Sequence, residues 1–339
     1  MCGCAETDEQ APTCTGNGYL GSSCDICGYF DFTVIAPTGH DFVNGVCSGC
    51  GLSFKITSAA LQLNEDINLV YTATIPEGFT SARMEFSFMG RTYTANEYTV
   101  NGNNEYTFTF PRITPQYMGE DITATLYADL DGQTYTCTKA NYSVRTYCEN
   151  MLTNYPNDAK LKQLISDLLT YGAAAQNYTD YQTENLVTDG LSLTPATYPG
   201  LNGLKVSFTG EKDDTTDFTA ACVVLRSTLA VRFYFTAEDT DGLAVQCELP
   251  GRTERFTDAD FCSAGDGLWY VELQGIKATE FSENITAAIF RGEEQIGRTV
   301  HYTVNTYICG VQNSTNASLS ALMKALYNYG AAAKAYAES

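Results

Sequence analysis

Four cysteines in two closely spaced pairs are the residues of this sequence best suited to binding a metal. Cys24 and Cys27 form one C-x-x-C-G string, and Cys47 and Cys50 form a second, with nineteen residues between the pairs. Two residues between cysteines let both thiolates reach one ion, and the following glycine permits a tight turn that directs backbone N–H groups at sulfur. The spacing therefore predicts a closed, structural zinc site at Cys24, Cys27, Cys47 and Cys50.

Two alternatives for the same segment stay open. Cys14, Cys24, Cys27 and His40 could instead bind one ion as a Cys3His set. Disulfides are the other alternative, because small exported domains use them to compensate for a small core. Residues 1–51 hold seven of the thirteen cysteines and few long apolar runs, so this segment requires a metal or disulfides to fold.

Few side chains in the sequence are suited to catalysis. The two histidines are His40 and His301, and no nucleophile elbow accompanies them. Gly-rich phosphate loops, dinucleotide fingerprints and the HExxH helix of zinc proteases are also missing. Forty acidic residues make chance pairs of carboxylates certain, so glycoside hydrolysis stays open. We predict no catalytic or cofactor-binding residues, and we expect a binding or structural role rather than an enzymatic one.

The charge of the chain restricts its partners and its compartment. The formal net charge is −21, from 40 acidic and 19 basic residues, so phosphate backbones and anionic membrane surfaces repel it. No run of eighteen apolar residues is present, which predicts no membrane insertion. Few lysines and many tyrosines, glycines and threonines are typical of a secreted β-rich protein. The sequence opens without a signal peptide, so we expect a processed form or a fragment if the protein is exported.

An internal repeat organises the chain after the cysteines. Segments starting at Asp158 and Asn316 each have leucines at i, i+3 and i+7 followed by Tyr-Gly-Ala-Ala-Ala, which predicts one N-capped amphipathic α-helix per copy. Glycine inside a helix costs about 1 kcal/mol relative to alanine, so its recurrence at Gly172 and Gly330 indicates close contact with another element. A glycine C-cap is the alternative interpretation.

Upstream of each helix, apolar and aromatic residues alternate with polar ones, as in 67–73 and 229–235, and turn dipeptides such as Asn101-Gly102 separate the runs. This pattern predicts six to eight short strands per copy. The fold class is mainly β with helices (α+β): a small zinc-ribbon-like module followed by two tandem, immunoglobulin-like β-sandwich units, each ending in an α-helix. The predicted domains are 1–51 for the module, 52–181 for the first copy, 182–200 for a linker and 201–339 for the second copy.

The string APTCTGNGYLGSSCDICGYFDFTVIAPTGH, followed by HDFVNGVCSGCG, resembles cysteine-rich repeats in large surface proteins of Gram-positive anaerobic bacteria. Those repeats share a PTCT, C-x-x-CG and GH rhythm, and the YGAAAQNY and YGAAAKAY helix endings also resemble units of such proteins. The positions that match are Cys14, Cys24, Cys27, His40, Cys47 and Cys50, whereas Cys2 and Cys4 do not fit the pattern. The resemblance implies an exported, multi-module bacterial cell-surface protein and no known reaction.

Together these observations favour a non-catalytic cell-surface module array with a structural zinc site. Such an array would bind a surface ligand, a glycan or a protein, in adhesion or carbohydrate recognition, or would position neighbouring domains. One alternative is a carbohydrate-active enzyme or its accessory binding module, which a cleft with two facing carboxylates in one sandwich would indicate. The other is a pure structural spacer, which predicts no large exposed aromatic patch.

Overall fold

The computed structural model describes residues 6–339, and these form twenty-two strands, four α-helices and three short 3-10 helices. Cys2 and Cys4 lie outside the described residues. The chain divides into two compact units. The first unit contains Met1–Ala59, Val70–Thr109 and Asp121–Asn141, and the second contains Ala60–Leu69, Phe110–Glu120 and Tyr142–Ser339. The domain boundaries given above stay predictions.

The cysteine-rich module consists of two small antiparallel sheets. One has the order β1-β2-β3, with Glu6 opposite Ser23, and the other is the hairpin β4-β5. The strands are β1 Glu6–Gln10, β2 Gly18–Ser23, β3 Phe30–Ile35, β4 Phe42–Val43 and β5 Val46–Cys47. Just after the module, Phe54 is fully buried and stacks on Phe79 with ring centroids 5.2 Å apart.

The strands of the first copy form two four-stranded sheets, ordered β10-β11-β7-β6 and β13-β12-β8-β9. The strands are β6 Lys55–Leu63, β7 Ile67–Thr74, β8 Thr80–Phe88, β9 Arg91–Ala95, β10 Thr99–Val100, β11 Glu105–Phe110, β12 Ile122–Leu130 and β13 Gln133–Tyr142. Strict alternation buries one face of β7, as predicted. Tyr71 of β7 contacts Phe86 of β8 at 5.3 Å between centroids, so the apolar faces of the two sheets meet.

The second copy repeats this architecture with sheets ordered β14-β22-β21-β17-β18 and β15-β16-β20-β19. Its strands are β14 Ser207–Thr209, β15 Asp217–Val224, β16 Ala230–Thr236, β17 Leu243–Leu249, β18 Arg252–Thr257, β19 Cys262–Gly265, β20 Leu268–Gln274, β21 Ile285–Arg291 and β22 Glu294–Tyr302. A buried ion pair joins the sheets: the Asp217 carboxylate accepts hydrogen bonds from the Arg298 backbone N–H (2.9 Å) and Nε (2.8 Å). The predicted class, mainly β with helices and two sandwich units, is confirmed.

Each copy ends in a short helix followed by a long one. The helices are α1 Val144–Asn154 and α2 Ala159–Tyr178 in the first copy, and α3 Val304–Val311 and α4 Ala317–Ala337 in the second. Both predicted N-caps are confirmed, since Asp158 and Asn316 accept hydrogen bonds from the backbone N–H three residues on. The 3-10 helices are Pro115–Tyr117, Asp258–Asp260 and Ala278–Glu280.

The glycines that recur in both copies, Gly172 and Gly330, lie inside the long helices, so the C-cap alternative is wrong. A Cβ added at Gly172 would lie 3.2 Å from the Pro115 carbonyl oxygen, and one added at Gly330 would lie 3.1 Å from that of Ala278. These distances are tighter than ordinary contacts between Cβ atoms and their neighbours. Glycine therefore permits the 3-10 helix of each copy to approach the long helix closely, as the sequence predicted.

Candidate metal centre

Four metal-binding side chains converge in the cysteine-rich module: Cys14, His40, Cys47 and Cys50. Their sulfur and ring nitrogen atoms all lie within 4.8 Å of one another. The Sγ atoms of Cys14 and Cys47 are 3.6 Å apart, and Cys50 Sγ lies 3.4 Å from Nδ1 of His40. Tetrahedral coordination at the usual Zn–S and Zn–N bond lengths separates the ligand atoms by roughly 3.6–3.8 Å. The cluster could therefore hold one metal ion.

The turn after β5 presents Cys47 and Cys50 to this centre. The backbone N–H of Gly51 donates to the Cys47 carbonyl oxygen at 2.9 Å, and Gly51 has φ = +74°, in the left-handed region that glycine adopts at little cost. The first C-x-x-C-G string forms the same turn, with Gly28 N–H donating to the Cys24 carbonyl at 2.8 Å and φ = +66°. Both strings thus have the local geometry that their spacing predicts.

The cluster combines residues from both predicted ligand sets. Cys47 and Cys50 come from the four-cysteine set, and Cys14 and His40 come from the Cys3His alternative. Cys24 and Cys27 are not part of this cluster. Cys24 is buried at the end of β2, whereas Cys27 is exposed in the turn that follows.

The directions of β2 and β3 explain why the first C-x-x-C-G string lies outside the cluster. Cys14 lies before β2 and Cys24 lies directly after it, and a six-residue strand spans about 20 Å. Strand β3 runs antiparallel to β2, so the chain returns to the end where Cys14 lies. There, Thr38 N–H donates to the Thr13 carbonyl (3.0 Å) and Gly39 N–H to the Cys14 carbonyl (3.1 Å). These two bonds place His40 beside Cys14.

Gly49 is a residue of the centre that sequence reasoning missed. A Cβ added at Gly49 would lie 2.8 Å from Cys14 Sγ, so any larger residue would push this thiol away. Next to the centre, the Tyr135 hydroxyl accepts a hydrogen bond from the His40 backbone N–H at 3.4 Å. The His40 ring stacks on Phe42 with centroids 5.7 Å apart, and both contacts hold the imidazole in place.

The thiols of the cluster have strongly different acidities. The thiol of Cys14 faces that of Cys47 and is desolvated, and both effects raise the pKa of Cys14 to about 11. Burial also acts to raise the pKa of Cys47, but hydrogen bonds from His40 and from the backbone N–H groups of Cys50, Gly49 and Asp41 outweigh it and lower this pKa to about 5. Cys47 is therefore the more acidic of these two thiols, and metal binding would displace the proton of Cys14.

No protein-family model matches the chain, and no curated protein matches it. Among solved structures, the chain is similar to an adhesin described as Ca2+-stabilized, which helps an Antarctic bacterium reach out and bind ice (15% identity, 85% of this chain and 54% of that chain, TM-score 0.19). The chain thus spans about half the length of that adhesin. It is also similar to chicken CNTN1 FN1–FN3 domains (8% identity, 86% and 78% covered, TM-score 0.19) and to a chimeric titin Z1Z2 tandem (9% identity, 73% and 93% covered, TM-score 0.16).

Two further observations concern the rest of the described chain. In the described range, 6–339, no helix combines the length and apolarity that a membrane span requires. His301, the second histidine, lies on β22, where Nε2 is 2.9 Å from the Thr209 hydroxyl and Nδ1 is 3.3 Å from the Asn284 amide nitrogen. These neighbours give this imidazole a role in holding strands and loops together.

Proposed function

We propose that this protein is a non-catalytic extracellular module array whose N-terminal module is organised by a structural zinc ion. The convergence of Cys14, His40, Cys47 and Cys50 carries the proposal. Three thiolates and one imidazole are a soft donor set that suits zinc, and four protein ligands leave no coordination position for a substrate. The residues present fit a structural ion rather than a catalytic one.

The size of the module supports a need for the metal. In the described part of the module, 6–51, the buried side chains are Cys14, Cys24 and Cys47, which is too little apolar surface for about fifty residues. Because an unfolded chain has no preformed site, the free energy of zinc binding would contribute directly to folding. The metal thus takes the place of a hydrophobic core.

An extracellular location is supported by the net charge of −21, by the tandem β-sandwich units and by the resemblance to bacterial cell-surface repeats. We propose on this basis that the array belongs to a Gram-positive bacterial surface. A glycan or another protein would be its ligand, or neighbouring domains would be positioned by it.

An exposed apolar face on the module supports the binding role over the spacer role. Phe30, Phe32 and Val34 alternate on β3 and are 69%, 50% and 54% exposed. β3 is an edge strand of its sheet, so its backbone is also available for pairing. Contiguous exposed apolar surface of this kind marks interaction sites in soluble proteins.

Native mass spectrometry with and without a chelator, combined with a count of free thiols, tests the metal part of the proposal. Protein purified without added metal should carry zinc, and removing it should unfold the module while the β-sandwich units stay folded. Cobalt substitution should give the intense visible absorption of a tetrahedral thiolate site. A metal-free protein with few free thiols would overturn the proposal in favour of a disulfide scaffold.

A further inference from the structure

The groove beside α2 in the first copy is filled by the chain segment that follows this helix. Val187 is 2% exposed and lies against Gly172, where an added Cβ would be 3.1 Å from Val187 Cγ1. Gly119, which follows the 3-10 helix Pro115–Tyr117, approaches the same valine: an added Cβ would lie 3.8 Å from Val187 Cγ2. Glycine at two sides therefore creates a pocket that a β-branched side chain occupies.

Side chains of α1 and α2 hold the backbone of this segment. Arg145 donates to the carbonyl oxygens of Leu186 (3.4 Å) and Asp189 (2.6 Å). Oε1 of Gln176 accepts from the Val187 N–H at 2.8 Å, and its Nε2 donates to the Asn185 carbonyl at 3.2 Å. The segment is a turn, in which the Asp189 N–H donates to the Leu186 carbonyl at 3.0 Å, and the groove holds it through its main chain and one apolar side chain.

The second copy contains the equivalent groove as a cavity of about 270 Å³. Gly330 corresponds to Gly172 in the repeated helix. Asn305 corresponds to Arg145, because the Asn305 N–H donates to the Phe281 carbonyl at 3.0 Å just as the Arg145 N–H donates to that of Met118 at 3.0 Å. Lys334 stands at the position of Gln176. The residues lining the cavity include Ala278, Phe281, Asn305, Gly330, Ala331 and Lys334.

One polar atom of this cavity is left without a partner. Oδ1 of Asn305 is buried and accepts no hydrogen bond from any residue in the described part of the chain. A buried acceptor without a donor is costly, and such groups in folded proteins call for an explanation. A peptide N–H placed in the groove would satisfy it, as the segment at Val187 is satisfied by Gln176 in the first copy.

We propose that the cavity between Phe281, Asn305, Gly330 and Lys334 is a docking groove for a peptide turn with a β-branched apolar side chain, supplied by another polypeptide. The first copy shows the chemistry of the occupant, because the same scaffold there holds Asn185–Asp189. The polar side chains of this groove differ from those of the first copy, because Lys334 stands where the first copy has Gln176. Lys334 Nζ already donates to the Ser282 hydroxyl (3.1 Å) and to Glu283 Oε1 (2.6 Å), so the peptide would be held by Asn305, which accepts an N–H.

Binding of a fluorescent synthetic peptide of residues 181–191 to the full chain, followed by fluorescence polarisation, tests the proposal. Ala331→Phe fills the groove from an exposed position of α4, and Ala321→Phe adds the same ring at an exposed position of this helix that does not line the cavity. We expect Ala331→Phe to weaken binding at least tenfold and Ala321→Phe to leave it unchanged. A peptide with Val187→Asp should bind at least tenfold more weakly than the parent peptide.

A gain-of-affinity variant keeps the test decisive if Ala331→Phe does not fold. The double substitution Asn305→Arg and Lys334→Gln installs the two side chains that hold this segment in the first copy, and we expect it to raise affinity about tenfold. Absence of binding at millimolar peptide, or binding that Ala331→Phe leaves unchanged, would overturn the proposal. Self-association of the peptide-free chain that Ala331→Phe abolishes would instead assign the groove to a second copy. The outcome of this test does not depend on whether the N-terminal module binds a metal.

Discussion

Tyr171 of α2 and Tyr329 of α4 stack with ring centroids 5.7 Å apart and planes within 7° of parallel. The two tyrosines hold the same position in the repeated helix, so α2 and α4 meet through the same face. Such a contact is self-complementary, like the interface of a two-fold symmetric dimer. Both tyrosines are buried, and this burial raises the pKa of both phenols.

Tyr171→Ala should lower the free energy of unfolding by about 3–5 kcal/mol, the usual cost of removing a buried large aromatic ring. Tyr178→Ala is the matched control, because Tyr178 ends the same helix and is 41% exposed, and it should change stability by about 0.5 kcal/mol or less. Urea unfolding followed by circular dichroism measures both. If both variants lowered the free energy of unfolding equally, the stacked pair would contribute no more to stability than an exposed tyrosine does.

The helices and strands of this protein follow from local pattern, whereas the membership of the Cys14, His40, Cys47 and Cys50 cluster does not. Leucine spacing and the caps Asp158 and Asn316 predicted both long helices because each signal acts within one or two turns. The spacing of cysteines likewise predicted both tight turns. Which turn reaches His40 depends on the direction of β2 and β3, and this is a tertiary property that spacing does not encode. A strand assignment for 18–23 and 30–35 would have placed Cys14 and His40 together.

Cys50→Ser should reduce the metal content of the purified protein, while Cys27→Ser should leave the metal of this cluster in place. The two cysteines are a matched pair, since each is exposed and is the second cysteine of a C-x-x-C-G turn, but only Cys50 lies in the four-residue cluster. Elemental analysis by mass spectrometry gives the metal per chain. Loss of the metal in both variants would favour the four-cysteine set, because that set contains both cysteines.

Arg298→Met should destabilise the protein by about 3–5 kcal/mol, because it leaves the buried Asp217 carboxylate without its charged partner. Lys277→Ala breaks an ion pair with Glu280 whose atoms are 4.0 Å apart on the surface, and it should cost less than about 1 kcal/mol. Thermal and urea denaturation of both variants test this difference. Adding Asp217→Asn to Arg298→Met should recover part of the loss, and a double variant less stable than Arg298→Met would contradict the argument.

The stability of the second unit should depend on pH through Asp167, which is buried in α2. Burial raises the pKa of this carboxyl above its usual 3.8, although hydrogen bonds from the Ala196 N–H and Gln163 Nε2 oppose the shift. The folded state therefore binds the proton more tightly than the unfolded state, so stability falls as pH rises from 3.8 through the raised pKa. The unfolding free energy of the wild type minus that of Asp167→Asn should decrease over this window and then level off.

Asp213 provides a control of opposite sign in the same measurement. Hydrogen bonds from the Thr215 hydroxyl and from the N–H groups of Thr215 and Thr216 lower the pKa of Asp213. Its contribution is therefore present above the unfolded value and is lost as pH falls through the lowered pKa. The difference between wild type and Asp213→Asn should increase with pH, and the same slope for both substitutions would contradict the assignment of burial as the cause at Asp167.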